Sequence, residues 1–230
     1  MLNRKFALLV TALSISLTFS AGAKTPTSQL ERPVCNPNST AVQCYAKNMP
    51  RAVKQMKSRE TQKEISQLVA RAEKHLNRYV PSSEKVVIAD LDETLLSNAA
   101  YYAHHDELAP SSWGKWLAHQ HNGPYNQSVY HLIKAAQTRG FSVMYITGRP
   151  ASLAPVTLRQ TSDIAWSGIF HKPQGAQMNA EQYKSQVREM LKAMGYIIVL
   201  NIGDQVSDHG QPVDESKGEF LLPNVMYTIP

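Results

Sequence analysis

Cysteine is scarce in these 230 residues, with only Cys35 and Cys44 present. That count excludes a disulfide-rich framework, and two thiols with no third or fourth ligand nearby make a poor zinc site. In an exported protein so close a pair is most simply a disulfide, closing a small loop that stabilises by about 2–3 kcal/mol. Long apolar runs are lacking too. The uncharged, mostly apolar stretch Phe6–Phe19 falls short of the roughly 20 residues that a membrane span needs. Preceded by Asn3-Arg4-Lys5 and followed by Ala21-Gly22-Ala23, it has the layout of a secretory signal peptide cleaved after Ala23. No cysteine follows that site at once, which argues against a lipid anchor, so no stable membrane attachment is expected after cleavage. The positive surplus of +6 is dispersed rather than gathered. Its densest stretch, Arg51 to Lys63, reads as a solvated helix face, and no aromatic-interleaved basic groove suggests a nucleic-acid polymer as partner.

Residues 24–48 are rich in Pro, Ser, Thr and Asn and read as an irregular arm. From about Arg51 to Tyr79, the apolar positions Ile65, Leu68, Val69, Ala72, Leu76 and Tyr79 recur at helical spacing and predict one long helix. A continuous β-branched run, Val86-Val87-Ile88-Ala89, predicts a buried strand. Helical spacing resumes at Val129, Leu132, Ile133 and Ala136 and closes at Gly140. Further apolar runs, Phe141–Ile146 and Tyr196–Ile202, predict strands. Between them stand a helix, a short strand (Ile164 to Phe170) and a helix from about Glu181 to Met194 striped by Val187, Met190, Leu191 and Met194. The tail Leu221–Tyr227 reads as one more strand with its entry turn. Strands alternating with helices imply an α/β fold with a parallel sheet covered on both faces.

In such folds ligands bind outside the carboxyl ends of the strands. Here three runs end in polar groups: Asp90 and Asp92, Thr147 with Gly148, and Asp204 with Asp208. Two carboxylates one residue apart repel each other and resist desolvation unless a cation compensates. Hard oxygen ligands select Mg²⁺ or Ca²⁺, and an open site of few carboxylates suits Mg²⁺. A Thr hydroxyl, a Gly turn and a Lys beside such an ion match a phosphate group, whose transfer needs mainly positioning and charge neutralisation.

The stretch Asp90-Leu91-Asp92-Glu93-Thr94-Leu95-Leu96-Ser97-Asn98 resembles the first motif of the haloacid dehalogenase superfamily, and more narrowly of its exported acid phosphatases, class B, class C and plant. Ile146-Thr147-Gly148-Arg149 resembles the second motif, Tyr183-Lys184-Ser185 with Arg188 the third, and Gly203–Asp208 the fourth. Leu222–Tyr227 is similar to the closing segment of the plant-like branch. The resemblance implies a Rossmann-like core over 82–230, with a cap inserted at about 97–126 and an N-terminal arm and helix over 24–81. It implies Asp90 as nucleophile toward phosphorus and Asp92 as general acid and base, its backbone carbonyl also binding Mg²⁺. Thr147, Gly148 and Lys184 would hold the phosphoryl oxygens, Asp204 would complete the metal ligands, and Asp208 would orient that shell or the lysine. On these roles the Asp92 pKa should lie above that of Asp90. Val206 and His209 depart from the residues common at their positions.

Tyr101, Tyr102, Trp113, Trp116 and Tyr125 could stack on a substrate ring or form the cap's own small core, the latter being what a small insert needs. His104, His105, His119 and His121 invite a zinc site, although exposed loop histidines without cysteine are common. The expected activity is hydrolysis of small phosphomonoesters, nucleoside monophosphates among them, in the periplasm or outside the cell. A phosphotransferase using the same intermediate is one alternative; a non-catalytic binding or storage protein is the other.

Overall fold

The computed structural model describes residues 32–34, 44–106, 108–119, 124–210 and 212–229. The signal segment, Cys35 and His121 lie outside them. The described elements are β1 (Cys44–Tyr45), α1 (Met49–Met56), α2 (Arg59–Leu76), β2 (Lys85–Ala89), α3 (Ala99–Tyr102), α4 (Pro110–His119), α5 (Gln127–Arg139) and β3 (Ser142–Pro150), followed by α6 (Ala154–Gln160), β4 (Gly168–Lys172), α7 (Ala180–Ala193), β5 (Ile197–Gly203), β6 (Glu219–Leu221) and β7 (Tyr227–Thr228).

Five strands form a parallel sheet in the order β4-β3-β2-β5-β6. Side chains alternate across it as strand pleating demands. Val87 and Ala89 join Val143, Tyr145, Leu200 and Ile202 beneath α2 and α5. Val86 and Ile88 join Met144 and Ile146 against Tyr183, Val187 and Leu191 of α7. The sheet is therefore apolar on both faces, and its polar residues collect where the strands end. Gly140 stops α5 in a left-handed conformation at φ 98°, which a side chain would resist.

The long helix expected over Arg51–Tyr79 is two helices. Ser58 breaks it by capping α2, its hydroxyl accepting from the Thr61 N–H at 3.2 Å. The break lets the halves serve different cores: α2 packs on the sheet, while Met49, Ala52, Val53 and Met56 of α1 pack with Tyr101, Tyr102, Trp113 and Leu117 of the insert and Val225–Tyr227 of the tail. The insert's aromatics thus build a small core, as such a segment needs. Tyr125 does not join it; its hydroxyl bonds the Gln160 carbonyl at 2.9 Å and its ring lies against the main core. His105 stacks on Tyr101 at 4.1 Å, and His119 bonds the Lys115 carbonyl on its own helix.

Four other elements differ from expectation. The short strand expected over Ile164 to Phe170 is β4, Gly168–Lys172, because Ile164 still closes the turn after α6, its N–H bonded to the Thr161 carbonyl at 3.2 Å. The tail is not one strand: β6 joins the parallel sheet, whereas β7 pairs antiparallel with β1. β3 runs on through Pro150 instead of stopping before Thr147, with a register shift against β4 between Thr147 and Pro150. Met190 and Met194 face outward, at 41% and 64% exposure, because only Val187 and Leu191 of that stripe reach the sheet. Among the described residues no helix is long and apolar enough to cross a membrane.

Candidate active site

The ends of β2, β3 and β5 and the first turns of α7 meet at one edge of the sheet. Asp90 follows β2 directly, its N–H bonded to the Ile202 carbonyl of β5 at 3.0 Å, so its position is fixed by the sheet itself. Lys184, buried on α7, donates from Nζ to Asp90 Oδ1 at 2.7 Å and to Asp208 Oδ1. Burial alone would strip the Lys184 proton, but the Asp208 and Asp90 charges outweigh it and raise its pKa. Asp90, Asp204 and Asp208 present carboxylate oxygens within 4.8 Å of one another, all buried.

Asp204 is held on every side. Thr94 donates to its Oδ1 at 3.1 Å, and Gln205 and Asn224 donate to its Oδ2 at 2.6 and 2.8 Å. Burial and the Asp208 charge still lift its pKa to about 6. Arg32, from the N-terminal arm, donates to the Asp204 and Leu222 carbonyls and pins the loop from behind. Arg188 donates to the Asp208 and His209 carbonyls at 2.7 and 3.0 Å, tying the same loop to α7. His209 bonds Glu219 through Nδ1 at 2.7 Å, which gives the departure at that position a buried polar partner.

Asp92 lies apart from this cluster. Its carboxylate takes a two-pronged bond from Arg149, Nε to Oδ2 at 2.9 Å and Nη2 to Oδ1 at 2.7 Å, with Asn98 Nδ2 adding a third at 2.8 Å. The Arg149 side chain is itself fully buried, its Nη1 reaching Gln160 Oε1 at 2.6 Å and Thr157 Oγ1 at 3.2 Å on α6. Burial would raise the Asp92 pKa, yet Arg149's charge and hydrogen bonds, with that of Asn98, carry it below the usual carboxylate value. Burial drives Asp90 the other way, well above the usual value, reinforced by Asp208 and Asp204 against the pull of Lys184. These directions oppose the order expected from the sequence, because the expectation credited Asp90 with a metal and did not credit Asp92 with Arg149.

Glu93, which sequence reasoning left without a role, adopts φ 59°, rare for a residue with a side chain. Its carboxyl accepts from the Asn98 N–H at 2.6 Å and the Tyr227 hydroxyl at 2.7 Å, so it ties the first motif to the insert and the tail. Burial, then the Asp92 and Asp204 charges, push its pKa to about 8. Arg149, Asn98, Gln205 and Asn224 were missed in the same way. Their signal was position inside motif-like stretches, not residue type.

Gly148 is exposed on a cavity of about 890 Å³ that Asp90, Asp92, Arg149, Lys184 and Asp204 also line. A Cβ there would touch nothing within 4 Å, so the backbone is open to a ligand. Thr147 and Asp208 sit just behind the cavity wall; the Thr147 hydroxyl accepts the Arg149 N–H at 3.2 Å.

Residues 16–230 match the family described as HAD superfamily, subfamily IIIB (Acid phosphatase). The chain belongs to this family. Over 153 residues it is 35% identical to vegetative storage protein 1 of Arabidopsis thaliana, covering 63% of this chain and 56% of that protein. Acid phosphatase 1 of Solanum lycopersicum is 33% identical over 153 residues, 63% of this chain and 59% of that one. The chain thus matches little more than half the length of these relatives. The class C acid phosphatase from Bacillus anthracis shares the fold, with a TM-score of 0.63 at 17% identity over 78% of this chain and 85% of that one.

The donor set fits the divalent metal that the family generally uses. Four carboxylates, Asp90, Asp92, Asp204 and Asp208, face two hydrogen-bonded cations, Lys184 and Arg149. Asp90, Asp204 and Asp208 bring only hard carboxylate oxygens together, the donors that Mg²⁺ and Ca²⁺ take.

Proposed function

We propose that the chain is an exported, Mg²⁺-dependent acid phosphatase that hydrolyses small phosphomonoesters through an aspartyl-phosphate on Asp90. The observation that carries this reading is the division of one motif: Asp90 sits among carboxylates and Lys184, while Asp92, two residues on, is clamped by Arg149. Asp90, Asp204 and the Asp92 backbone carbonyl would hold Mg²⁺. When bound, the ion would offset the crowded carboxylates, keep Asp90 ionised and neutralise phosphoryl oxygens.

The chain's own groups do the rest. An Asp90 oxygen attacks phosphorus as the ester P–O bond breaks, and the departing oxygen takes a proton from Asp92. Asp92 then removes a proton from the water that attacks the phosphoryl group, releasing phosphate, freeing the Asp90 carboxylate and returning Asp92 to its protonated form. Lys184 and the end of β3 at Thr147 and Gly148 steady the phosphoryl oxygens, and Asp208 holds Lys184 in place. An acid with a depressed pKa carries its proton only at low pH, which supports work at acidic pH. The presence of Asp90 favours a competent site over the storage role suggested by the name of the Arabidopsis relative.

Residues 1–23 would be removed on export to the periplasm or beyond, Cys35 and Cys44 would then bridge, and residues 24–81 would lace the core of 82–230, with its cap at about 97–126. Phosphate release from p-nitrophenyl phosphate, with and without Mg²⁺, tests the proposal: wild-type turnover with loss in Asp90→Asn supports it, and equal activity of the two proteins overturns it. Adding an alcohol acceptor and assaying its phosphate ester separates hydrolysis from transfer.

A further inference from the structure

The cavity of about 890 Å³ is of the size that holds a drug-sized organic group, well beyond a phosphate alone. Its two sides differ. The insert and tail contribute apolar surface through Tyr102, Leu108, Trp113 and Ile229. The end of β4 contributes Lys172, and the stretch from there to α7 contributes neutral hydrogen-bonding side chains such as Gln174. Three cations line the space. Lys184 and Arg149 are each committed to carboxylates at 2.7 Å. The Lys172 side chain has no hydrogen bond or ion pair to any described residue, although it is half-buried and lines the cavity of a strongly acidic site.

Its place is set by the sheet. Lys172 ends β4 and pairs with Pro150, at the far side of the register shift that follows Thr147, whereas Thr147 pairs with His171. Neighbouring strands lie about 4.8 Å apart, which sets the Lys172 backbone beside the end of β3; Lys172 lines the same cavity as Asp90 and Lys184, and the space there beyond the phosphoryl group must take the leaving group. A free ammonium on a flexible stem, in a cavity also lined by Tyr102, Leu108 and Trp113, is matched by an anion carried on an apolar frame.

We infer that Lys172 forms an anion subsite on the leaving-group side, and that this protein favours phosphomonoesters bearing a second anionic group, carboxylate or phosphate, on an apolar scaffold. The inference rests on the phosphatase reading for its substrate, but binding alone can test it. Dissociation constants would be measured calorimetrically in Mg²⁺ for benzylphosphonate, 4-(phosphonomethyl)benzoate and 1,4-bis(phosphonomethyl)benzene, using wild type, Lys172→Met, Lys172→Glu and Lys172→Arg. The expected result is tighter binding of both doubly anionic ligands by wild type, with about a three- to fivefold loss of that preference in Lys172→Met. Lys172→Arg should retain it, Lys172→Glu should invert it, and higher ionic strength should compress it. Whichever second anion shows the larger loss names the anion the subsite is built for. An unchanged preference in both Lys172→Met and Lys172→Glu, with folding intact by circular dichroism, overturns the inference. Turnover of phenyl phosphate by wild type in the same buffer reports on the phosphatase reading separately, so a Lys172-dependent preference without turnover would sink only that reading.

Discussion

Asp90 and Asp92 are two residues apart, yet their surroundings push their proton affinities in opposite directions, Asp90 by burial among carboxylates and Asp92 by the fork of Arg149. Removing that fork should tell on the chemistry. Arg149→Lys replaces two parallel bonds with a point charge, so the Asp92 pKa should rise and the alkaline limb of the kcat–pH profile should move to higher pH. A limb that stays in place would show that Asp92 is not the group being titrated there. Asp92→Asn should cost roughly 10²–10⁴-fold for alkyl phosphates, with aryl phosphates suffering less because their leaving groups need no proton. Glu93 carries a stability signature. Its folded pKa of about 8 lies above the ordinary 4.5, so the folded state holds the proton more tightly. That contribution is complete below the ordinary value and is lost as pH rises through about 8. Glu93→Gln should therefore melt above wild type at pH 8 and alongside it at pH 4; parallel melting curves at both pH values would refute the assignment. Carboxylates at strand ends were legible in the sequence because their cost demands a reason. Arg149's function was not, because its partners Asp92, Thr157 and Gln160 are assembled only by the fold.

Strand ends decide the architecture at the next scale. β5 must finish in glycine: a Cβ on Gly203 would lie 2.3 Å from Asp208 Oδ2 and 2.4 Å from its Cβ. Gly203→Ala should therefore displace Asp208, lower stability by about 1–3 kcal/mol and weaken phosphate binding, as read by urea melts and by KM. An unchanged melt and KM would mean the loop relaxes freely. The strands and the α5 boundary were readable because apolar runs and a left-handed Gly140 are local signals. The split at Ser58 was not, since both helices are amphipathic and differ only in the core each one covers. Nor was the pairing of β1 with β7, which joins residues at opposite ends of the chain through two short strands without a periodicity of their own.

For the whole molecule, the arm, the insert and the tail share one core, and that core roofs the acidic end of the sheet. The buried cluster of Asp90, Asp204 and Asp208 there predicts that chelation silences turnover and that Mg²⁺ restores it; full activity of verified metal-free protein would contradict the metal's role. Everything else in the reading depends on where the phosphoryl group goes. Acid quenching during turnover of a ³²P-labelled phosphomonoester, followed by peptide mapping, locates it directly. The expected result is an acid-stable, hydroxylamine-labile label on the peptide containing Asp90, absent from Asp90→Asn. Label on a different residue, or steady turnover with no labelled protein at any quench time, would contradict it.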